Sequence, residues 1–192
     1  MRVFYQYSIS ALWLAWLLYW MVAAIGAKAV RRHEGLAARL SHLIPLTLGL
    51  ALLIPHHLPV SWLTIRMLPS GVVWFWVGFA LVALGLAFAV AARVWLGGNW
   101  SGVVAIKQEH ELVRAGPYRW VRHPIYAGLL VALLGWVITL GEVRGVIALP
   151  LFIGGFLRRV ALEERFLEEE FGAAYSHYRG EVPCLMPSPR HR

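Results

Sequence analysis

Long apolar runs alternate with short polar, mostly basic, breaks along most of the chain. The first run spans about residues 7–30 and closes on Lys28, Arg31 and Arg32. It is too long for the apolar part of a cleaved signal and lacks a small-x-small site before its basic flank, so it is expected to remain as a span. A second run, about 41–63, is interrupted by Pro45 and by Pro55-His56-His57, which predicts a kink or an early exit. A third, about 69–96, carries no charge until Arg93, and its Gly71, Gly78 and Gly85 recur every seven residues on one helix face. Small residues in that pattern predict close helix packing within lipid.

A polar stretch, 97–123, precedes two shorter runs, 124–140 and 143–157, separated by Gly141-Glu142. These predict a tilted helical hairpin. A polar helix over about 158–178 and a Pro-rich tail (Pro183, Pro187, Pro189) follow. The expected fold is all-α and polytopic: one membrane domain of about five transmembrane helices. Residues 1–96 form three N-terminal spans, and 97–192 form a loop, a hairpin and a C-terminal helix.

Composition sharpens this picture. Of 192 residues, 59% are hydrophobic and 15% charged, against about 25% charged in a soluble domain. The net charge of +8 flanks apolar runs and forms no single patch, which argues for membrane topology and against nucleic acid. If the first basic loop is cytoplasmic, only Arg2, Arg66 and Arg144 of the 18 Lys and Arg fall on the opposite side. That asymmetry predicts an outside N-terminus, with the 97–123 loop and the C-terminal helix both cytoplasmic. A single cysteine, Cys184, excludes a disulfide framework and a zinc cluster. His56 and His57 lie toward the far side without a carboxylate or thiol beside them, so no metal is expected.

Candidate chemistry gathers in two places. The first is the 97–123 stretch, with Lys107-Gln108-Glu109-His110-Glu111, the turn signal Gly116-Pro117 and the run Arg122-His123-Pro124-Ile125-Tyr126. Pro124 suits the first position of a helix, which puts His123 at a helix N-terminus, where an anion is favoured. The second is the C-terminal helix, where Val160, Glu164, Leu167, Phe171, Ala174 and Tyr178 form one stripe. Arg159 and Glu163, four residues apart, are positioned to pair. The chain contains no Asp, so Glu163 and Glu164 at the membrane edge are functional candidates. Glu168, Glu169 and Glu170 read as a solvated face. No dinucleotide fingerprint, P-loop or serine elbow occurs.

The elements Gly98-Asn99-Trp100-Ser101, His110-Glu111-Leu112-Val113, Gly116-Pro117-Tyr118 and Arg122-His123-Pro124-Ile125-Tyr126-Ala127-Gly128 resemble the isoprenylcysteine carboxyl methyltransferase family. So do Arg159 with Glu163-Glu164, Phe171-Gly172-x-x-Tyr175-x-x-Tyr178 and Val182-Pro183. The resemblance covers about residues 95–187, and it implies an integral membrane enzyme that transfers a methyl group from S-adenosyl-L-methionine to a lipid-like or prenylated acceptor. By position it implies cofactor contacts at His110, Glu111, Leu112, Val113, Tyr118, His123, Pro124, Tyr126 and Glu163, with Gln108 at the family's glutamine. Arg159 matches the arginine facing the substrate carboxylate, and Glu164 stands beside it as a substrate-side candidate. The acceptor is left open between a prenylcysteine carboxylate, another lipid, an amine or a thiol; an amine or thiol needs a base, for which His110 or Glu164 would serve. The competing readings are a membrane sterol or lipid reductase using NADPH and a non-enzymatic scaffold or transporter.

Overall fold

The computed structural model describes residues 2–54, 60–107 and 111–187, so His56, His57, Gln108 and His110 lie outside the described residues. Helices dominate: α1 (Arg2–Ala24), α2 (Leu36–Leu53), α3 (Val72–Leu96), α4 (Pro124–Leu140), α5 (Val143–Phe171) and α6 (Ala173–Glu181). The sequence did not suggest a small antiparallel ribbon of β1 (Val30–His33) and β2 (Ala105–Lys107), which pairs Arg32 with Ile106 and His33 with Ala105. The first span thus ends at Ala24, short of its expected end near residue 30, and after a turn the chain enters β1 at Val30.

The second span also ends early, at Leu53. Ile54 is extended (φ −69°, ψ 133°) because it precedes Pro55, whose ring disfavours the helical region for the residue before it. Among the described residues, four helices are long and apolar enough to cross a bilayer; α4, with 17 residues, is about 25 Å long and the shortest of the apolar set.

Helices α3 and α4 meet through glycines. A Cβ on Gly85 would lie 2.5 Å from the Gly128 carbonyl oxygen, and one on Gly78 would lie 2.5 Å from that of Gly135. The sevenfold spacing on α3 is therefore matched by the same spacing on α4, and the backbones touch with no room for a side chain. Gly71, expected on this face, instead caps the start of α3 in an extended conformation.

At the end of the bundle remote from the ribbon, two arginines close the helix ends. Buried Arg144 donates to the Leu52 and Ile54 carbonyls (3.2 Å each) at the end of α2 and to Glu142 (2.7 Å). Arg66 donates to the Leu140 carbonyl (3.2 Å) beside Gly141, which turns the hairpin with φ +64°. A cation at a helix C-terminus satisfies the unpaired carbonyls and the dipole together.

The hairpin's second arm corrects the expected layout. No separate polar helix begins at residue 158: α5 runs unbroken for 29 residues, about 43 Å, well beyond the ~30 Å hydrocarbon thickness. The switch from apolar to charged residues at Arg158 changes the solvent but not the backbone. The break comes at Gly172 (φ +50°), after which α6 folds back and buries Tyr175 and Tyr178 with Val182 against Leu112, Leu167 and Phe171. The projecting half of α5 is thus carried rigidly by a membrane helix, and the ribbon docks on it: Arg31 pairs with Glu170, and Arg32 with Glu169 (2.6 Å) and the Phe166 ring (4.7 Å).

Candidate active site

A cavity of about 420 Å³ opens between the start of α4, the projecting half of α5, the 97–105 segment and the end of α1. Its charged floor comes from two helices. His123 caps α4 and Tyr126 follows one turn later; Arg159 and Glu163 occupy successive turns of α5. The Arg159 Nε–H donates to the Tyr126 hydroxyl oxygen (2.7 Å), and that hydroxyl donates to Glu163 Oε1. Arg159 Nε also reaches Glu163 Oε1 at 3.3 Å, and its Nη2 donates to the Gly102 carbonyl at 3.0 Å. Tyr126 is held flat by His123 on one side (centroids 5.9 Å, 17°) and Phe156 on the other (5.3 Å, 24°).

His123 lies between two carboxylates. Its Nδ1 is 3.7 Å from Glu163 Oε2, and its Nε2 is 3.1 Å from Glu164 Oε1. Burial alone would depress its pKa, but the bonds and charges of Glu163 and Glu164 outweigh that and raise it above the ordinary histidine value. The folded state therefore prefers the imidazolium. Its contribution to stability is complete below about pH 6.5 and is lost as pH rises through the raised value. The unfolding midpoint of the detergent-solubilised protein, followed by tryptophan fluorescence, should fall between about pH 6 and pH 9, and His123→Asn should flatten that slope. Parallel profiles for the two proteins would contradict this protonation state.

Behind the floor, Glu164 faces away from the cavity. Its Oε1 accepts from Arg122 Nε (3.0 Å) and Nη2 (2.7 Å), and Arg179 stands 3.6 Å from Oε2. Burial works against the Arg122 charge, but the Glu164 bond dominates and raises its pKa. Arg122 also donates to the Arg179 (3.1 Å) and Val182 carbonyls. The Arg122 and His123 backbone N–H groups donate to the Pro183 (2.9 Å) and Cys184 (3.1 Å) carbonyls, which lashes the C-terminal segment to the start of α4. His123, Glu164 and Cys184 bring a nitrogen, an oxygen and a sulfur within 4.8 Å of one another. Two arginines around Glu164 make that spot a poor setting for a metal cation.

The upper walls are aromatic. Trp16 and Trp20 of α1 stack at 4.5 Å, and Trp20 meets Trp100 edge-on at 5.6 Å. Buried Arg93 supports Trp100 from behind (4.6 Å to the ring) while capping α1 through the Ala23 carbonyl (2.6 Å) and α3 through the Gly97 carbonyl (2.6 Å). Tyr118 lines the cavity beside them. Its carbonyl accepts from the Tyr178 hydroxyl (2.6 Å), and burial together with the Glu163 charge pushes its own phenol far up, so it stays neutral.

The structure thus brings Tyr118, His123, Tyr126, Arg159 and Glu163 to one cavity. Pro124 is buried as the first residue of α4 and fixes its start. Leu112 and Val113 pack instead into the hydrophobic clusters around Tyr178 and Tyr118. The Glu111 N–H donates to the Asn99 side chain (3.3 Å). Sequence reasoning did not pick out Trp16, Trp20 or the 101–105 wall as site residues; nothing local in a Trp-rich, Gly/Val-containing stretch distinguishes a cavity wall from a lipid-facing or loop position.

The isoprenylcysteine carboxyl methyltransferase (ICMT) family matches residues 69–169, just over half of the chain and all of the floor. The chain belongs to that family. It is 35% identical over 109 residues to the protein-S-isoprenylcysteine O-methyltransferase of Schizosaccharomyces pombe, covering 55% of this chain and 46% of that one. It is 33% identical over 119 residues to a probable protein-S-isoprenylcysteine O-methyltransferase of Oryza sativa subsp. indica, covering 59% and 62%. Against the Homo sapiens protein-S-isoprenylcysteine O-methyltransferase the figures are 32% over 113 residues, 57% and 40%. The chain therefore spans about half the length of the curated relatives it matches. A solved structure of the eukaryotic intramembrane Ras methyltransferase ICMT superposes on 88% of this chain and 52% of its own, with a TM-score of 0.51 at 22% identity, which establishes a shared fold. Family membership and the apolar helices together make the chain an integral multi-pass membrane protein.

Proposed function

We propose that the protein is an S-adenosyl-L-methionine-dependent methyltransferase that esterifies the carboxylate of a membrane-embedded, isoprenylcysteine-type acceptor. The observation that carries this reading is a single cavity with a charged floor and an aromatic wall, built by the segment that matches the family. Its donor set suits the cofactor. Glu163 offers a carboxylate to a cationic ligand, Trp100 and Tyr118 offer aromatic faces, and Ile125 and Tyr126 bring the N-terminus of α4, which favours a carboxylate, to the cavity. When bound, S-adenosyl-L-methionine supplies a methyl already activated on a sulfonium, so a carboxylate oxygen takes it while the carbon–sulfur electron pair stays on sulfur and no proton moves.

The remaining work belongs to the protein and is mostly positioning. Arg159 is assigned to hold the acceptor carboxylate, its guanidinium fixed by Tyr126, Glu163 and the Gly102 carbonyl. His123 and Glu163 hold the floor in register across the two helices. Glu164 is assigned a supporting role, orienting His123 and Arg122. Trp16, Trp20 and Phe156 are assigned to the apolar part of the acceptor, which would arrive from the bilayer between helices. The charge asymmetry of the loops supports a cytoplasmic site and C-terminus with an outside N-terminus. None of the relatives reported above is a reductase, and the scaffold reading leaves the converged floor without a role.

Membranes containing the protein and methyl-labelled S-adenosyl-L-methionine should transfer label to a synthetic farnesylcysteine carboxylate, and the label should be released as methanol by mild base. Base-stable label would indicate an amine or thioether product. No transfer to any lipid acceptor, despite cofactor binding, would refute the reading.

A further inference from the structure

We propose that Glu34 and His42, which lie outside the family match and outside the cavity lining, are a positioning pair that fixes the 101–105 wall over the site; the inference rests on the methyltransferase reading above. Ten Glu and no Asp make acids scarce in this chain, yet Glu34 is buried, with its side chain 2% exposed, facing an equally buried His42 on α2 (1%). Burying two ionisable groups is costly unless they are paired and hydrogen-bonded.

Glu34 grips one residue of the wall through both of that residue's backbone groups. The Glu34 N–H donates to the Val104 carbonyl (2.9 Å), and the Val104 N–H donates to Glu34 Oε1 (3.3 Å). Val104 is 1% exposed, and residues 101–105 all line the cavity. The same wall has a second anchor within the site, Arg159 Nη2 on the Gly102 carbonyl. The wall is therefore pinned at residue 102 by a floor residue and at residue 104 by Glu34.

His42 ties this outer anchor to α5. Its backbone carbonyl lies 3.2 Å from where a Cβ on Gly155 would fall, so α2 rests directly on α5 one turn before Arg159. The other carboxylate oxygen of Glu34 stands 3.6 Å from His42 Nδ1, too long for a hydrogen bond. Neither residue lines the cavity, although His42 lies within reach of the Arg159 and Glu163 charges, so Glu34 acts on the site through the wall, and its effect falls on cofactor affinity before it falls on the chemical step.

The test uses the full-length protein in nanodiscs, measuring Kd and KM for S-adenosyl-L-methionine, kcat and the unfolding midpoint. Glu34→Ala should raise Kd and KM about tenfold, the order a lost buried hydrogen bond gives, with kcat within about threefold. Glu34→Gln keeps an acceptor for the Val104 N–H and should recover most of the affinity. His42→Ala should cause part of the loss, and the double variant should lose no more than Glu34→Ala alone, because coupled sites are not additive. If Glu34→Ala does not fold, Glu34→Gln and His42→Ala carry the comparison, each expected to raise Kd about threefold. The inference is overturned if these variants bind the cofactor as the wild type does, if the losses add, if kcat falls while KM holds, or if affinity falls only in step with the unfolding midpoint. A wild-type protein that binds no S-adenosyl-L-methionine overturns the functional reading, and the inference with it.

Discussion

Replacing Arg159 with alanine should lower kcat/KM for a carboxylate acceptor by at least about 100-fold, the consequence of removing one partner from a buried ion pair at about 3–5 kcal/mol. Three contacts fail together: the bond to the Tyr126 hydroxyl, the pairing with Glu163, and the link to the Gly102 carbonyl. Arg159→Lys retains the charge but not the planar fork that reaches all three partners, so it should recover only part of the loss. The split between parameters distinguishes the assigned role from simple damage. If Arg159 holds the acceptor anion, the acceptor's KM rises and kcat falls, while cofactor Kd rises by no more than the roughly tenfold that loosening the 101–105 wall gives. A variant that keeps kcat/KM within about threefold of wild type would remove Arg159 from the reaction.

How much of this was legible in the sequence depends on how local the controlling physics is. The Gly78/Gly85 face of α3 could be read from spacing alone because helix periodicity is local, and the structure pairs it with Gly135 and Gly128 on α4. The floor was legible for a similar reason. Arg159 and Glu163 lie one helical turn apart, and a Pro after His123 marks a helix start, so each half of the cluster has its own signature.

Other features depend on residues far apart in the chain. The β1–β2 ribbon joins residues about 75 positions apart, and neither strand alternates strongly enough to announce itself. The continuity of α5 past Arg158 was hidden because polarity tells where water begins, whereas only a backbone breaker such as Gly172 ends a helix. Glu34 was detectable by the scarcity argument that picked out Glu163 and Glu164, and His42 by standing in an apolar run. What the sequence could not supply was the partner that Glu34 holds, Val104, 70 residues away.

The same scarcity gives the adjacent Glu163 and Glu164 opposite expectations. Glu163→Gln should raise the Kd for S-adenosyl-L-methionine by about 30-fold or more, whereas Glu164→Gln should mainly lower the unfolding midpoint. Glu163 reaches the cavity and Glu164 does not; Glu164 instead neutralises Arg122, with Arg179 nearby, and holds His123. Gln at 163 still offers an oxygen to the Tyr126 hydroxyl, so the change is chiefly in charge, and a charge-assisted contact is about twice as strong as a neutral one. Comparing S-adenosyl-L-methionine with S-adenosylhomocysteine locates that charge on the ligand. Both carry the amino acid ammonium, but only the first carries a sulfonium. If Glu163 faces the sulfonium, Glu163→Gln weakens the methylated ligand far more than the product, so kcat/KM for the cofactor falls and product inhibition becomes relatively stronger. If it faces the ammonium, both ligands weaken alike and kcat is largely preserved once cofactor saturates. Unchanged affinity for both ligands would instead make Glu163 only a support for Arg159 and Tyr126, and the cationic cofactor would have to be met by the aromatic faces of Trp100 and Tyr118.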